Sequence, residues 1–279
     1  MSIKPITLDK IKEMQKEFLK NPRQSMLNII ENLNKNTRNL TEKLIKDNKI
    51  CQLFLFNSFY EEYGKLIMKI LKTDPLLIEK IKDDVFDFKN SQRIIEVENT
   101  IREYEEKRTN ENIGEDIALR LSRVYSSWLE ILWGRFKRII YIKYPKLINK
   151  NLSLKELKEK VSYLEKEYSI KLDLMMSTLE GLFRNGINHE TTYFELPNII
   201  VFLDRDNDSK MKEIDRLTLE NIVELLLKIF IINSAVDAIE KGLIISRLEV
   251  LLKLNDDELK KICETGILTK EMQEKINKK

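Results

Sequence analysis

Residues 117–140 read IALRLSRVYSSWLEILWGRFKRII. In that stretch Ile117, Leu121, Val124, Trp128, Leu132, Phe136 and Ile139 recur at steps of three or four. This is the period of one helix face and not the strict alternation of a half-buried strand. No proline interrupts the run, so it predicts one long amphipathic helix. Core packing accounts for Trp128 without any ligand.

The same period extends outward in both directions. Ser153 is placed to cap a helix carrying Leu154, Leu157, Val161, Leu164 and Tyr168 at alternating steps of three and four, a regular bundle stripe. Leu172, Met175, Met176, Leu179, Leu182 and Phe183 predict a further helix, with the two methionines as core filler. Thr218 opens a helix to about Ile239 that is apolar on nearly every side. A helix of that kind must be covered all round, in a bundle centre or at a subunit interface. Upstream, Thr7, Asn21-Pro22 and Asp74-Pro75 are helix starts, and residues 50–71 and 91–108 carry helical stripes.

One stretch has strand character, Ile199-Ile200-Val201-Phe202-Leu203, which is short and β-branched. The acidic run after it, Asp204 to Asp208, lacks the glycine and closing glutamate of a calcium loop and reads as a solvated turn. The fold class is therefore all-α, a helical bundle with an additional N-terminal helical region and at most a short strand or hairpin. The polar stretch Thr109 to Gly114 is the best linker. It suggests a helical region over 1–112, a bundle over 113–245 and short helices over 246–279.

Composition narrows the function classes. The 279 residues hold 49 Lys and Arg against 46 Asp and Glu, a net charge of +3, so any nucleic-acid surface must come from local clustering. Cys51 and Cys263 are far apart and in no metal spacing, which disfavours a disulfide framework and a cysteine-based zinc site. Met1 to Lys20 is charged throughout, unlike a signal peptide. The most apolar stretch, Ile222 to Ile239, is broken by Glu224, Lys228 and Asp237, so no membrane span is expected. These features lead us to expect a cytoplasmic protein with no metal and no cofactor.

Chemistry concentrates at Arg184-Asn185-Gly186-Ile187-Asn188-His189, because His189 is the only histidine in the chain. With one histidine there is no HExxH and no histidine pair for a metal, and the glycines are too isolated for a phosphate loop. An arginine, an asparagine and a histidine suit RNA cleavage without a metal. Attack of a 2′-hydroxyl on the adjacent phosphate needs a base, and the 5′-oxygen leaving group needs an acid. Histidine serves in either role near neutral pH. A guanidinium stabilises the charge that gathers on the phosphorane-like transition state. Asn185 can donate an amide hydrogen bond to the phosphate or orient the histidine. On a continuous helix, residues five apart point roughly 140° from each other. Gly186 is therefore expected to end the helix and let His189 fold back toward Arg184. The competing reading of His189 is a helix-end residue that caps carbonyls or faces solvent.

This segment resembles the HEPN superfamily, whose pattern is arginine, a polar residue, and a histidine after four to six residues. Arg184 matches the arginine, Asn185 the polar residue and His189 the histidine, within a resemblance that covers roughly Gly114 to Gly242. The resemblance implies a four- or five-helix bundle and a homodimer that brings two motifs into one cleft. It also implies metal-independent endoribonuclease activity leaving a cyclic phosphate, in a toxin–antitoxin or antiviral setting, sometimes with an antitoxin or other regulatory partner.

A second feature favours RNA. Between Gly134 and Lys150 stand Arg135, Lys137, Arg138, Lys143, Lys146 and Lys150 with no acid, interleaved with Tyr141 and Tyr144. This run is a candidate phosphate-tracking surface. Its rival reading is a solvated helix face. The alternatives to a nuclease are a non-catalytic RNA-binding protein and a helical protein–protein adaptor using the apolar helix near 222–239.

Overall fold

The computed structural model describes residues 16, 18–46, 49–73, 99–107, 115–148, 150, 152–179, 192–195, 198–205, 211–265 and 267–277. In chain order the elements are α1 (Pro22–Lys46), α2 (Ile50–Thr73), α3 (Glu115–Lys143), a 3-10 turn (Pro145–Leu147), α4 (Leu154–Tyr168) and α5 (Asp173–Thr178). There follow β1 (Thr192–Glu195), β2 (Ile199–Arg205), β3 (Met211–Thr218), α6 (Leu219–Leu251), α7 (Asp256–Thr265) and α8 (Lys270–Asn277). Residues 99–107 are also helical. The protein is mostly helical, with one small sheet.

The chain divides into two compact units, 48–240 and the pairing of 1–47 with 241–279. This differs from the partition expected at 112 and 245. The first reason is α2, whose Phe59 and Tyr63 rings pack on Phe136 of α3 with centroids 6.2 and 6.3 Å apart. Those aromatic contacts place α2 in the same core as α3. The second is α6, which continues through 245 to Leu251 because nothing between Ile239 and Leu251 stops a helix. The linker Thr109 to Gly114 lies outside the described residues, as do Thr7 and Asp74-Pro75.

In the larger unit the whole predicted stripe of α3 is buried: Ile117, Leu121, Val124, Trp128, Leu132, Phe136 and Ile139. Trp128 meets Phe230 of α6 edge-on at 5.6 Å. From Leu219 to Ile239, α6 buries residues on almost every side within the chain, so the fold takes the bundle-centre solution for that helix. Ser153 forms a full capping box with Glu156 at the start of α4, and Leu157, Val161 and Leu164 are buried. The α5 helix is shorter than expected and ends at Thr178. Its carbonyls are taken by other donors: Thr178 Oγ1 donates to Met175 O at 2.7 Å, and Trp133 Nε1 donates to Thr178 O at 3.1 Å. Leu182 and Phe183 lie outside the described residues.

The expected short strand is the centre of a three-stranded antiparallel sheet in the order β1-β2-β3. The β2–β3 register slips between Phe202 and Leu203, which pair with Asp215 and Glu213. This is a bulge, one extra residue on β3. Arg216 on β3 ties the strands together, pairing with Glu213 at 2.7 Å and with Glu195 of β1. Thr218 Oγ1 then accepts from Asn221 N at 3.3 Å and caps α6, as its sequence position predicts.

The smaller unit has its own core, in which Met26, Leu254, Leu259 and Met272 are buried together. Asn21 caps α1, accepting from Gln24 N at 3.3 Å, with Pro22 at the first helical position. Arg23 donates to the carbonyls of Leu252 and Leu254 and pairs with Asp256 at 2.8 Å. It therefore closes the backbone groups left open between α6 and α7.

Candidate functional site

Arg184, Asn185 and His189 lie outside the described residues; their two flanks do not. Upstream, α5 is held from both ends. Glu62 of α2 accepts from Leu174 N at 3.1 Å and Met175 N at 2.7 Å, replacing the side-chain cap that Leu172 does not supply. At the other end Trp133 of α3 holds the Thr178 carbonyl. Downstream, β1 packs on α3. Both flanks of the motif are therefore fixed on the same long helix.

The basic run on α3 and the turn after it separates into three fates. Arg135 turns inward and is only 6% exposed, so it leaves the surface that the sequence suggested. A guanidinium in an apolar core needs counter-charge and acceptors, and α6 supplies both. Arg135 Nη1 donates to Asn233 O at 3.2 Å and lies 3.8 Å from Glu240 Oε2, while Nη2 lies 3.6 Å from Asp237 Oδ1. Arg138 and Lys137 are half-buried, and Arg138 contributes charge near Glu240. Lys143 is also half-buried and is held at the corner where α3 meets α4. Its ammonium lies 2.5 Å from Glu167 Oε1 and over the Tyr168 ring at 5.0 Å, contacts that hold its pKa above the usual lysine range. Lys146 and Lys150 are exposed.

The cluster around Arg135 joins three helices. Tyr63 of α2 donates its hydroxyl to Glu240 Oε1 at 3.2 Å, and Asn233 Nδ2 donates to Trp128 O at 3.2 Å. Glu240 is only 1% exposed. Burial raises its pKa, the Arg135 charge acts against that, and Asp237 adds to it. Burial, reinforced by the Glu240 charge, also holds the Tyr63 hydroxyl well above its ordinary range, so it remains a donor. Arg135 Nε, Asn233 Oδ1 and Glu240 Oε2 are buried without a hydrogen-bond partner. Asn233 and Glu240 were absent from the candidates drawn from the sequence. The signal that could have found them is the pattern of α6 itself: a polar residue inside a helix apolar on all sides must face a buried partner.

A second, solvent-facing cluster stands at the α3–α4 corner. Lys160 Nζ lies 5.4 Å from the Tyr144 ring centroid and 5.1 Å from that of Tyr163. Tyr163 is 54% exposed. Tyr144 was part of the sequence-derived run; Tyr163 and Lys160 come from the next helix and are brought to it only by folding.

Among the described residues there is no group of His, Cys, Asp and Glu able to hold a metal ion, and no helix long and apolar enough to cross a membrane. No family model, curated protein or solved structure matches this chain.

Proposed function

We propose that this chain is a metal-independent endoribonuclease of HEPN type. It cleaves RNA through 2′-hydroxyl attack and leaves a 2′,3′-cyclic phosphate. Arg184 stabilises the transition state, Asn185 orients, and His189 is the base or acid. The observation that carries this reading is the chain's sole histidine standing four residues after Asn185 and five after Arg184. The fold adds support at one remove. The segment holding these residues begins and ends on elements fixed to α3. A homodimer that pairs two motifs, an antitoxin-like or regulatory partner, and a role as toxin or in phage defence belong to the same proposal.

A second reading, an RNA-binding protein without turnover, draws on the basic and aromatic corner of exposed Lys146 and Tyr163 and half-buried Tyr144 and Lys160, which owes nothing to His189. The adaptor reading loses ground, because α6 buries most of its apolar residues within this chain.

The test is cleavage of a labelled RNA, in excess chelator, by wild type and by His189→Ala. Cleavage by wild type alone, with cyclic phosphate ends, is the expected result. Equal cleavage by both proteins, or by neither across several RNAs, overturns the proposal.

A further inference from the structure

The charge of this chain is unevenly placed. Residues 134–171 hold eleven Lys and Arg against four Glu, +7 by sequence where the whole chain carries +3, and only Arg135 of the eleven is spent in the core, on Asp237 and Glu240. The remainder is therefore net acidic, and one contiguous part of the fold carries the excess positive charge. That part comprises the second half of α3, the 3-10 turn and α4, which pack on one another.

Three of the four acids in this region are already engaged. Glu156 is bound to Ser153 in the capping box. Glu165 accepts from Leu172 N at 2.8 Å. Glu167 is paired with Lys143 and receives the Tyr144 hydroxyl at 3.4 Å. The corner is also rigid, since Tyr141 donates to Lys150 O at 2.7 Å and Lys143 bridges α3 to α4. The surface it offers combines exposed ammonium groups at Lys146, Lys150 and Lys166 with aromatic rings at Tyr144 and Tyr163 around Lys160.

We propose that Tyr144 and Tyr163, gathered around Lys160 where α3 meets α4, form a stacking platform for single-stranded RNA. This adds a binding surface to the proposed ribonuclease, away from the Arg184–His189 motif in sequence, and rests on that reading. An unpaired base has a free π-face that can stack on the tyrosine face turned away from Lys160, while the phosphate between two such bases meets an ammonium. A duplex keeps its bases stacked on each other and offers only phosphates to the same lysines, so the platform discriminates against it. The single strand is favoured over an acidic protein partner because lysines alone would suffice for the latter, whereas here two aromatic rings, Tyr163 with 54% of its surface exposed, stand among the lysines.

The experiment uses the full chain carrying His189→Ala, so that bound RNA stays intact, and reads fluorescence anisotropy with labelled RNA of about 12 nucleotides, a length on the order of one such binding site. Single-stranded RNA is expected to bind more tightly than the same length of duplex. Tyr163→Ala and Tyr144→Ala each weaken the single strand by roughly 5- to 100-fold, Tyr163→Phe keeps the affinity, and duplex binding is little changed by any of the three. Lys160→Gln lowers the salt dependence of single-strand binding by about 0.7 in the log–log slope. Tyr163 is exposed, so its substitution tests the platform even where Tyr144→Ala perturbs folding. Equal affinity for single strand and duplex, or undiminished binding by both alanine variants, overturns the platform while leaving cleavage by wild type intact. Single-strand binding that depends on the tyrosines, in a protein whose wild type never cleaves, upholds the platform and sinks the nuclease instead.

Discussion

Arg135 decides whether the basic run of α3 is a surface or part of the core, and Arg135→Met tests it. In the folded protein this side chain is the cation that faces Glu240, with Asp237 as its second acid. Glu240 is buried, one of its oxygens has no hydrogen-bond donor, and its other partner is a neutral tyrosine. Removing the guanidinium leaves a buried carboxylate with only the more distant Arg138 charge to offset it, and breaking such a buried pair typically costs about 3–5 kcal/mol. For a unit the size of residues 48–240 that lowers the thermal midpoint by roughly 6–20 °C. Met is chosen because it keeps the apolar length of the side chain, so the loss reports charge and not a large cavity. Adding Glu240→Gln to Arg135→Met restores more than half of the lost stability, since the uncompensated charge is gone. The assay is thermal and urea unfolding at neutral pH, followed by circular dichroism. A loss for Arg135→Met below about 1 kcal/mol, as for an exposed arginine, would refute the inward placement and return Arg135 to the RNA-facing surface.

Burial raises the pKa of Glu240, and desolvation also raises that of Glu62 despite its two backbone donors. A carboxyl with a folded pKa above its unfolded value binds its proton more tightly when folded. Stability is therefore greatest below the unfolded value near 4.5 and falls as pH rises through the folded pKa. Glu240→Gln should flatten that fall in urea midpoints measured from pH 4 to 7; an unchanged slope would contradict the buried charge. Phe136→Ala, which empties the space against Phe59 and Tyr63, should cost about 3–5 kcal/mol in chemical unfolding, and a cost near zero would mean that α2 does not share the α3 core. Trp133→Phe removes the donor on the Thr178 carbonyl and should speed amide exchange at Met176 and Leu179 of α5 and its end, with protection on α3 retained. Loss of protection throughout α3 would instead mark Trp133 as a general packing residue.

The helices were legible from sequence because their information is local. Apolar spacing gave the buried stripe of α3, and the caps at Asn21, Ser153 and Thr218 are each a side chain bonding backbone three residues away. The sheet was only partly legible. Ile199 to Leu203 carries strand propensity, but β1 and β3 are polar at many positions and become strands by pairing with it. The motif Arg184, Asn185 and His189 was read entirely from residue types and spacing.

What the sequence determined by itself was the helical class, the start of several helices and the presence of a concentrated basic run. Only tertiary structure decided which partner each cation in that run meets. Arg135 stands three residues after Leu132 and four before Ile139, on the apolar stripe of α3, whereas Lys146 follows Pro145 beyond the helix; that spacing sets Arg135 on the inward face but does not supply its partner. Arg135 can stay charged there because Asp237 and Glu240, about a hundred residues later, are carried to it by α6. In the same way Tyr144 acquires Lys160 and Tyr163 only when α4 folds back on α3. Side-chain period follows from the backbone one turn at a time, whereas the partner of a charge or ring is set by which distant helices pack together.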